Sequence, residues 1–306
     1  AYSLSAYTLA FINQFMWMDA IVLLPIVALG LERLCKFKKS YLYIFSLALT
    51  LYTNFYIGYM VCVFSIIYFL YICFRNKVSW KKRLNLFFHF SLSSLLSGGL
   101  VAIVLIPTYL ALKNTIASSL AFNGEFKLYH SPIKIFSKFL PFSKISLVFE
   151  APNLYCGLVI IILCGLYIFK KNLTLANRLA FVIFVVFAYL SLNFNLLDFI
   201  WHGFHFPNQL PARHSFIFIF GMVSLAYYVF IDIKLNKKSI ASILLIILIV
   251  EISANSIYTI SSQTWKSNLS KYTMYDAEME YIKEKYNSSD EFYRMELLTP
   301  SYNSGQ

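Results

Sequence analysis

Asp198, His202 and His205 follow one another at spacings of four and three within Asn195–Phe216 (NLLDFIWHGFHFPNQLPARHSF). On a helix they share a face, as in a metal-ligating or acid–base cluster. Gly203 and Pro207 work against a full helix there, and no HExxH-type ligand signature is present. No metal site is therefore expected, and a divalent metal is without support from the residues. Histidines bonding loop carbonyls are the commoner arrangement, and a polar substrate pocket is the sharper reading. The same stretch holds Asn208, Gln209 and Arg213. Arg213 has two readings: contact with lipid headgroups, or a bidentate hold on a substrate phosphate.

Two other places carry groups with chemical reach. Asp19 lies two residues after Trp17 at the start of an apolar run. It reads as an N-terminal acid meeting the helix dipole beside an interfacial Trp, or as a carboxylate facing a substrate. Asn54, Tyr56 and Tyr59 would line a cavity with an amide and two hydroxyls; in a chain with 23 Tyr, an interfacial belt is the plainer account. No phosphate-binding loop, GxSxG elbow or Cys/His nucleophile is visible. The five cysteines lie in or at the ends of apolar runs without a CxxC pair, as packing residues do.

The elements that must hold these groups are set by composition. Of the 306 residues, 59% are hydrophobic and 13% charged, and the mean hydropathy is +0.66. That excludes an ordinary soluble domain and indicates an all-α, polytopic membrane protein. The net charge of +12 does not point to nucleic acid. Its Lys and Arg gather in short loops: Arg33–Lys39, Arg75–Arg83, Lys170–Arg178 and Lys234–Lys238. Such loops face the cytoplasm, and they place Trp17–Asp19, 113–152, 194–213 and the tail on the opposite side. Residues 41–74 read as a hairpin of two arms of about 15 residues, short for a span, broken at an NFYIGY tip. Residues 86–112 form a span with a bend offered by Gly98, Gly99 and Pro107, and 131–145 fit a short interfacial helix.

The expected organisation is a transmembrane domain over 1–257 and the start of an extracytoplasmic soluble domain over 258–306. The latter has a helix at Tyr275–Tyr286 and a strand at Glu291–Leu298. Opening on Ala1 and closing on Gln306, the chain is expected to be an internal fragment, lacking N- and C-terminal parts.

Four stretches carry a family resemblance: WMDAIVLLPIVALGLERL from Trp17, NFYIGYM from Asn54, WHGF from Trp201 with Pro207–Asn208 and PARHSF from Pro211, and FYRME from Phe292. In this order they resemble the YfhO family of bacterial membrane proteins, itself similar to GT-C glycosyltransferases. The resemblance implies a GT-C-like bundle of about eight or nine spans with a broken hairpin, in a bacterial plasma membrane. It implies transfer of a sugar from an undecaprenyl-phosphate-linked donor to a teichoic acid acceptor, such as lipoteichoic acid, on the extracytoplasmic face. Arg213, helped by His202 or His205, would hold the leaving phosphate. Trp17, Asp19, Asn54, Tyr56, Tyr59 and Asn208 would complete the substrate site. GT-C enzymes usually keep a catalytic acid in their first outer loop, expected upstream of Ala1. No residue is therefore assigned as the catalytic base, although Asp19 is a carboxylate on the required side. A lipid-linked sugar flippase, or a non-catalytic scaffold for wall assembly, are the rival readings; the first would call for an inverted repeat, which is not visible.

Overall fold

Apolar runs in this chain become helices that bury a seam and leave the rest of their surface bare. The computed structural model describes residues 1–76, 79–113, 122, 124–146, 151–170, 173–207, 210, 212–236 and 238–262, together with Glu280 and Glu284. In chain order the helices are α1 (Ala6–Ala10), α2 (Phe15–Phe37), α3 (Tyr41–Thr53), α4 (Phe55–Arg75), α5 (Trp80–Leu100) and α6 (Ala102–Leu112). They continue with α7 (Pro132–Ser137), α8 (Leu158–Ile168), α9 (Leu175–Asn193), α10 (Asn195–Trp201), α11 (Ser215–Asn236) and α12 (Lys238–Ser262). Among the described residues the only extended pairing is a single bridge between Leu128 and Phe194.

Among the described residues, three helices, α2, α4 and α9, are long and apolar enough to cross a membrane. The pair α5–α6 passes the same test as one span bent by 79°, with the break at Val101 after the Gly98–Gly99 pair. Tyr41–Thr53, Leu158–Ile168, Ser215–Ile231 and Ser242–Tyr258 are shorter apolar helices. The chain is thus a multi-pass helical membrane protein, and the count of about eight or nine spans remains an expectation. Val22 and Leu29 on α2, Leu70 on α4, and Ile183 and Val186 on α9 are exposed. Bare apolar surface on successive helices suits lipid and not water.

The tightest part of the molecule is the α2–α3–α4 unit. Tyr68 Oη on α4 donates to Glu32 Oε1 on α2 at 2.8 Å, and Arg75 Nη2 donates to both Glu32 carboxylate oxygens at 2.9 Å. Glu32 and Arg75 lie late in their helices, so α2 and α4 run the same way and α3 returns between them. Close approach is bought with glycine: a Cβ on Gly30 would lie 2.6 Å from the Tyr43 backbone nitrogen, and one on Gly58 would lie 3.0 Å from Leu51 Cα. Polar side chains inside these helices satisfy themselves locally. Ser46 Oγ donates to the Leu42 carbonyl, Thr50 Oγ1 to that of Ser46, and Ser65 Oγ to that of Val61.

The hairpin over 41–74 differs from its reading in sequence. Only Asn54 leaves the helical path, with extended backbone at φ −155° and ψ 107°. Its Oδ1 accepts the Ile57 N–H at 2.8 Å, so the helix restarts at once and Phe55–Tyr59 form the first turns of α4. The arms are 13 and 21 residues instead of two equal halves. The interfacial helix over 131–145 is the six residues of α7, and Lys138 after it is buried, with Nζ donating to the Lys144 carbonyl and to Ser146 Oγ.

The chain divides into Ala1–Tyr258 and Thr259–Gln306. Of the second unit, 259–262 end α12 and Glu280 and Glu284 are helical; the rest of the helix expected over Tyr275–Tyr286, the strand at Glu291–Leu298 and the FYRME stretch lie outside the described residues, as does the expectation of a soluble domain.

Candidate functional site around Arg213

The starts of α2 and α4 and the turn before α11 come together. Arg213 Cζ lies 5.4 Å from the centroid of the Trp17 ring and 5.2 Å from that of Tyr56. Both are cation–π distances, so the guanidinium is gripped by two aromatic rings from separate helices. Its Nε donates to the Leu210 carbonyl at 3.2 Å, and the Tyr7 hydroxyl donates to the Arg213 carbonyl at 2.7 Å. Tyr7, Phe11 and Trp17 are buried and packed edge to face in sequence, which fixes the Trp17 ring from behind. The Glu32–Arg75 pair marks the other end of the same helices. Fifteen residues separate Trp17 from Glu32 on α2, about 22 Å of helix.

His205 and His202 stand beside Tyr56, with ring centroids 5.7 Å and 6.2 Å from its ring. The Tyr59 hydroxyl donates to the Ile200 carbonyl at 3.0 Å and ties α4 to α10. The Tyr56 hydroxyl is buried. Asn54 is spent on the α4 cap, while Asp19 is exposed, two residues on from buried Trp17 and so on another face of α2. Asn208 lies outside the described residues. The structure thus gathers Trp17, Tyr56, Tyr59, His202, His205 and Arg213.

The loop from α10 to α11 is strained. Phe204, Leu210 and Ala212 all have left-handed backbone, at φ 63°, 57° and 50°, beside Gly203 at 74°. Non-glycine residues pay about 1–2 kcal/mol each for that conformation, so the surroundings must impose it.

Next to this loop lies a second group that spacing alone did not find. His202 Nδ1 donates to the Asp198 carbonyl at 2.7 Å and lies 3.1 Å from Asp198 Oδ1. The third partner is not His205 but His214, whose Nε2 donates to the Ser191 carbonyl at 3.0 Å. The His214 ring stacks on Trp201, with planes 2° apart. Tyr129 Oη donates to Asp198 Oδ2 at 3.1 Å. Burial pushes the Asp198 carboxyl up, but its bond to His202, the charges of His202 and His214 and the Tyr129 hydroxyl together leave it below the ordinary carboxylate value. Burial, helped by His202, pulls His214 down to about 3, against the opposing pull of Asp198 and its bond to Ser191. Burial also lowers His205 and raises the Tyr129 phenol.

Tyr129 reaches Asp198 because two asparagines clamp its segment. Asn193 Oδ1 accepts the His130 N–H, and its Nδ2 donates to the His130 carbonyl, both at 2.8 Å. Asn195 does the same to Lys127 N–H and the Glu125 carbonyl. These side-chain bonds flank the Leu128–Phe194 bridge, where the Tyr129 N–H donates to the Asn193 carbonyl and the Asn195 N–H to the Lys127 carbonyl.

Aromatic rings hold a guanidinium by its flat sides, and a planar fork of donors binds phosphate through its edge. The arrangement is therefore suited to an anion at the end of the helices. No curated protein and no solved structure matches this chain. The family model described as bacterial membrane protein YfhO matches residues 1–248, which take in Trp17, Tyr56, the histidines and Arg213. The chain belongs to the YfhO family of bacterial membrane proteins.

Proposed function

We propose that the protein is a membrane glycosyltransferase that moves a sugar from undecaprenyl-phosphate-sugar to a cell-wall polymer such as lipoteichoic acid on the extracytoplasmic face. The observation that carries this reading is the convergence on Arg213. Three distant stretches deliver Trp17, Tyr56 and Arg213 to one point, with His202 and His205 adjoining. A cation fixed at the end of a membrane bundle suits the phosphate of a lipid-linked donor whose tail stays in the bilayer. When the bond from the anomeric carbon to the phosphate oxygen breaks, negative charge grows on that oxygen, and a positioned guanidinium stabilises it. The acceptor hydroxyl forms the new bond and gives its proton to a base that is not assigned here.

The orientation comes from the basic loops. Arg33, Lys36, Lys38 and Lys39 sit at the Glu32–Arg75 end of α2, the end expected in the cytoplasm. Arg213 is at the other end. The test is reconstitution of the full-length protein with purified polyprenyl-phosphate sugar and lipoteichoic acid. Labelled sugar on the polymer is the result expected; donor crossing the bilayer without transfer would replace this reading with a flippase, and neither event with a scaffold.

A further inference from the structure

His202 and His214 share a feature that hydrogen bonding within the protein leaves unexplained. Each is fully buried, and each spends one ring nitrogen on a main-chain carbonyl: Nδ1 of His202 on Asp198, Nε2 of His214 on Ser191. A carbonyl only accepts, so those nitrogens carry the hydrogens and the opposite ones carry lone pairs in the neutral rings. The opposite nitrogens, Nε2 of His202 and Nδ1 of His214, are buried with no hydrogen-bond partner. An orphaned buried acceptor is costly, and two of them beside one carboxylate call for a ligand. A histidine that donates one N–H to a carbonyl and turns its bare nitrogen inward has the tautomer and orientation of a metal ligand.

We propose that Asp198, His202 and His214 form a binding site for a divalent transition metal, zinc by donor chemistry. One ligand atom from each of the three lies within 4.8 Å of the others. Two imidazoles and a carboxylate are a borderline N/O set that suits zinc, and fit neither calcium nor magnesium, which take oxygen ligands. Tetrahedral zinc places its ligands about 3.3 Å apart, so the Asp198 carboxylate must swing from His202 Nδ1 toward the bare nitrogens as the ion enters. His205, the partner suggested by spacing, is outside it. Asp198 also receives Tyr129 Oη, so the loop clamped by Asn193 supplies the outer support such sites need.

The site has a structural consequence. Asp198 lies within α10, His202 caps its end, and His214 lies immediately before α11. An ion there staples the two ends of the strained connection that carries Arg213. The inference stands apart from glycosyl transfer, because metal binding is read without any donor or acceptor.

The test uses the full-length protein purified in detergent, stripped with a chelator and titrated with Co(II) and then Zn(II). One equivalent of cobalt giving ligand-field bands of low-symmetry tetrahedral type, displaced by one equivalent of zinc, is the result expected. His202→Gln and His214→Gln should each abolish the bands, and Asp198→Asn should weaken zinc at least 10-fold. Absence of bands in the folded wild-type protein overturns the proposal and needs no variant. Bands that persist in folded His202→Gln and His214→Gln also overturn it, as an adventitious ion only.

Discussion

The guanidinium of Arg213 lies over the ring of Trp17 at 5.4 Å, although the two residues open different helices far apart in the chain. Tyr56 covers the same guanidinium at 5.2 Å, and Tyr7 holds its backbone carbonyl. The arginine is thereby fixed by contacts from α1, α2 and α4, whereas a residue merely reaching for lipid headgroups would need none of them.

The rings under Arg213 should matter as rings. Trp17→Leu removes one face and should lower sugar transfer about 2- to 30-fold, the range of a cation–π contact. Tyr56→Phe keeps the ring over the guanidinium, so its loss of transfer should be smaller than that of Trp17→Leu. Steady-state transfer by the two variants checks this, and equal losses in both would count against the cation–π account.

Gly30 sits where α2 and α3 touch backbone to backbone. Gly30→Ala places a methyl 2.6 Å from Tyr43 N and 2.7 Å from Tyr43 Cα, atoms that cannot move aside. Forced separation of the helices should cost about 1–3 kcal/mol. Thermal unfolding in detergent should show a clear fall in Tm. Gly98→Ala, where no atom lies within 4 Å, should show none.

Asn193→Ala removes the carboxamide that bonds both backbone groups of His130 and the Tyr189 hydroxyl. The loss should be about 1–3 kcal/mol and should loosen 124–131 in particular. Limited proteolysis should cut that segment faster in the variant than in wild type; unchanged cleavage would show that the clamp is not what holds it.

The Glu32–Arg75 pair should contribute little despite its good geometry. Its side chains are 30% and 37% exposed, and pairs of that kind are worth about 0–1 kcal/mol and weaken with salt. Glu32→Gln should therefore change Tm by no more than a degree or two, less at high salt, in a melting experiment run at two ionic strengths.

Much of this was legible in the sequence for identifiable reasons. Composition and the basic loops made the chain a multi-pass helical protein, and a break near Asn54 followed from a polar residue in an apolar run. Trp17, Tyr56 and Arg213 stood out as polar or aromatic groups at span ends. What periodicity could not show was the path of the loop. Spacing joined His205 to Asp198 and His202, but at Gly203, with φ 74°, the chain leaves the helix and brings back His214 instead. Tyr7 looked like any apolar-segment tyrosine, and its role depends on a contact across the fold. Tyr129 comes from a loop whose course is set by Asn193 and Asn195; two asparagines bracketing the junction of two helices were the one available hint.

The most direct measurement is sugar transfer by full-length Arg213→Ala and Arg213→Lys proteins that remain monodisperse in detergent, with purified polyprenyl-phosphate sugar as donor. Loss of about 100-fold or more in Arg213→Ala, with at most partial recovery in Arg213→Lys, is the result predicted for a planar donor fork on the leaving phosphate. Transfer by Arg213→Ala at the wild-type rate would contradict it.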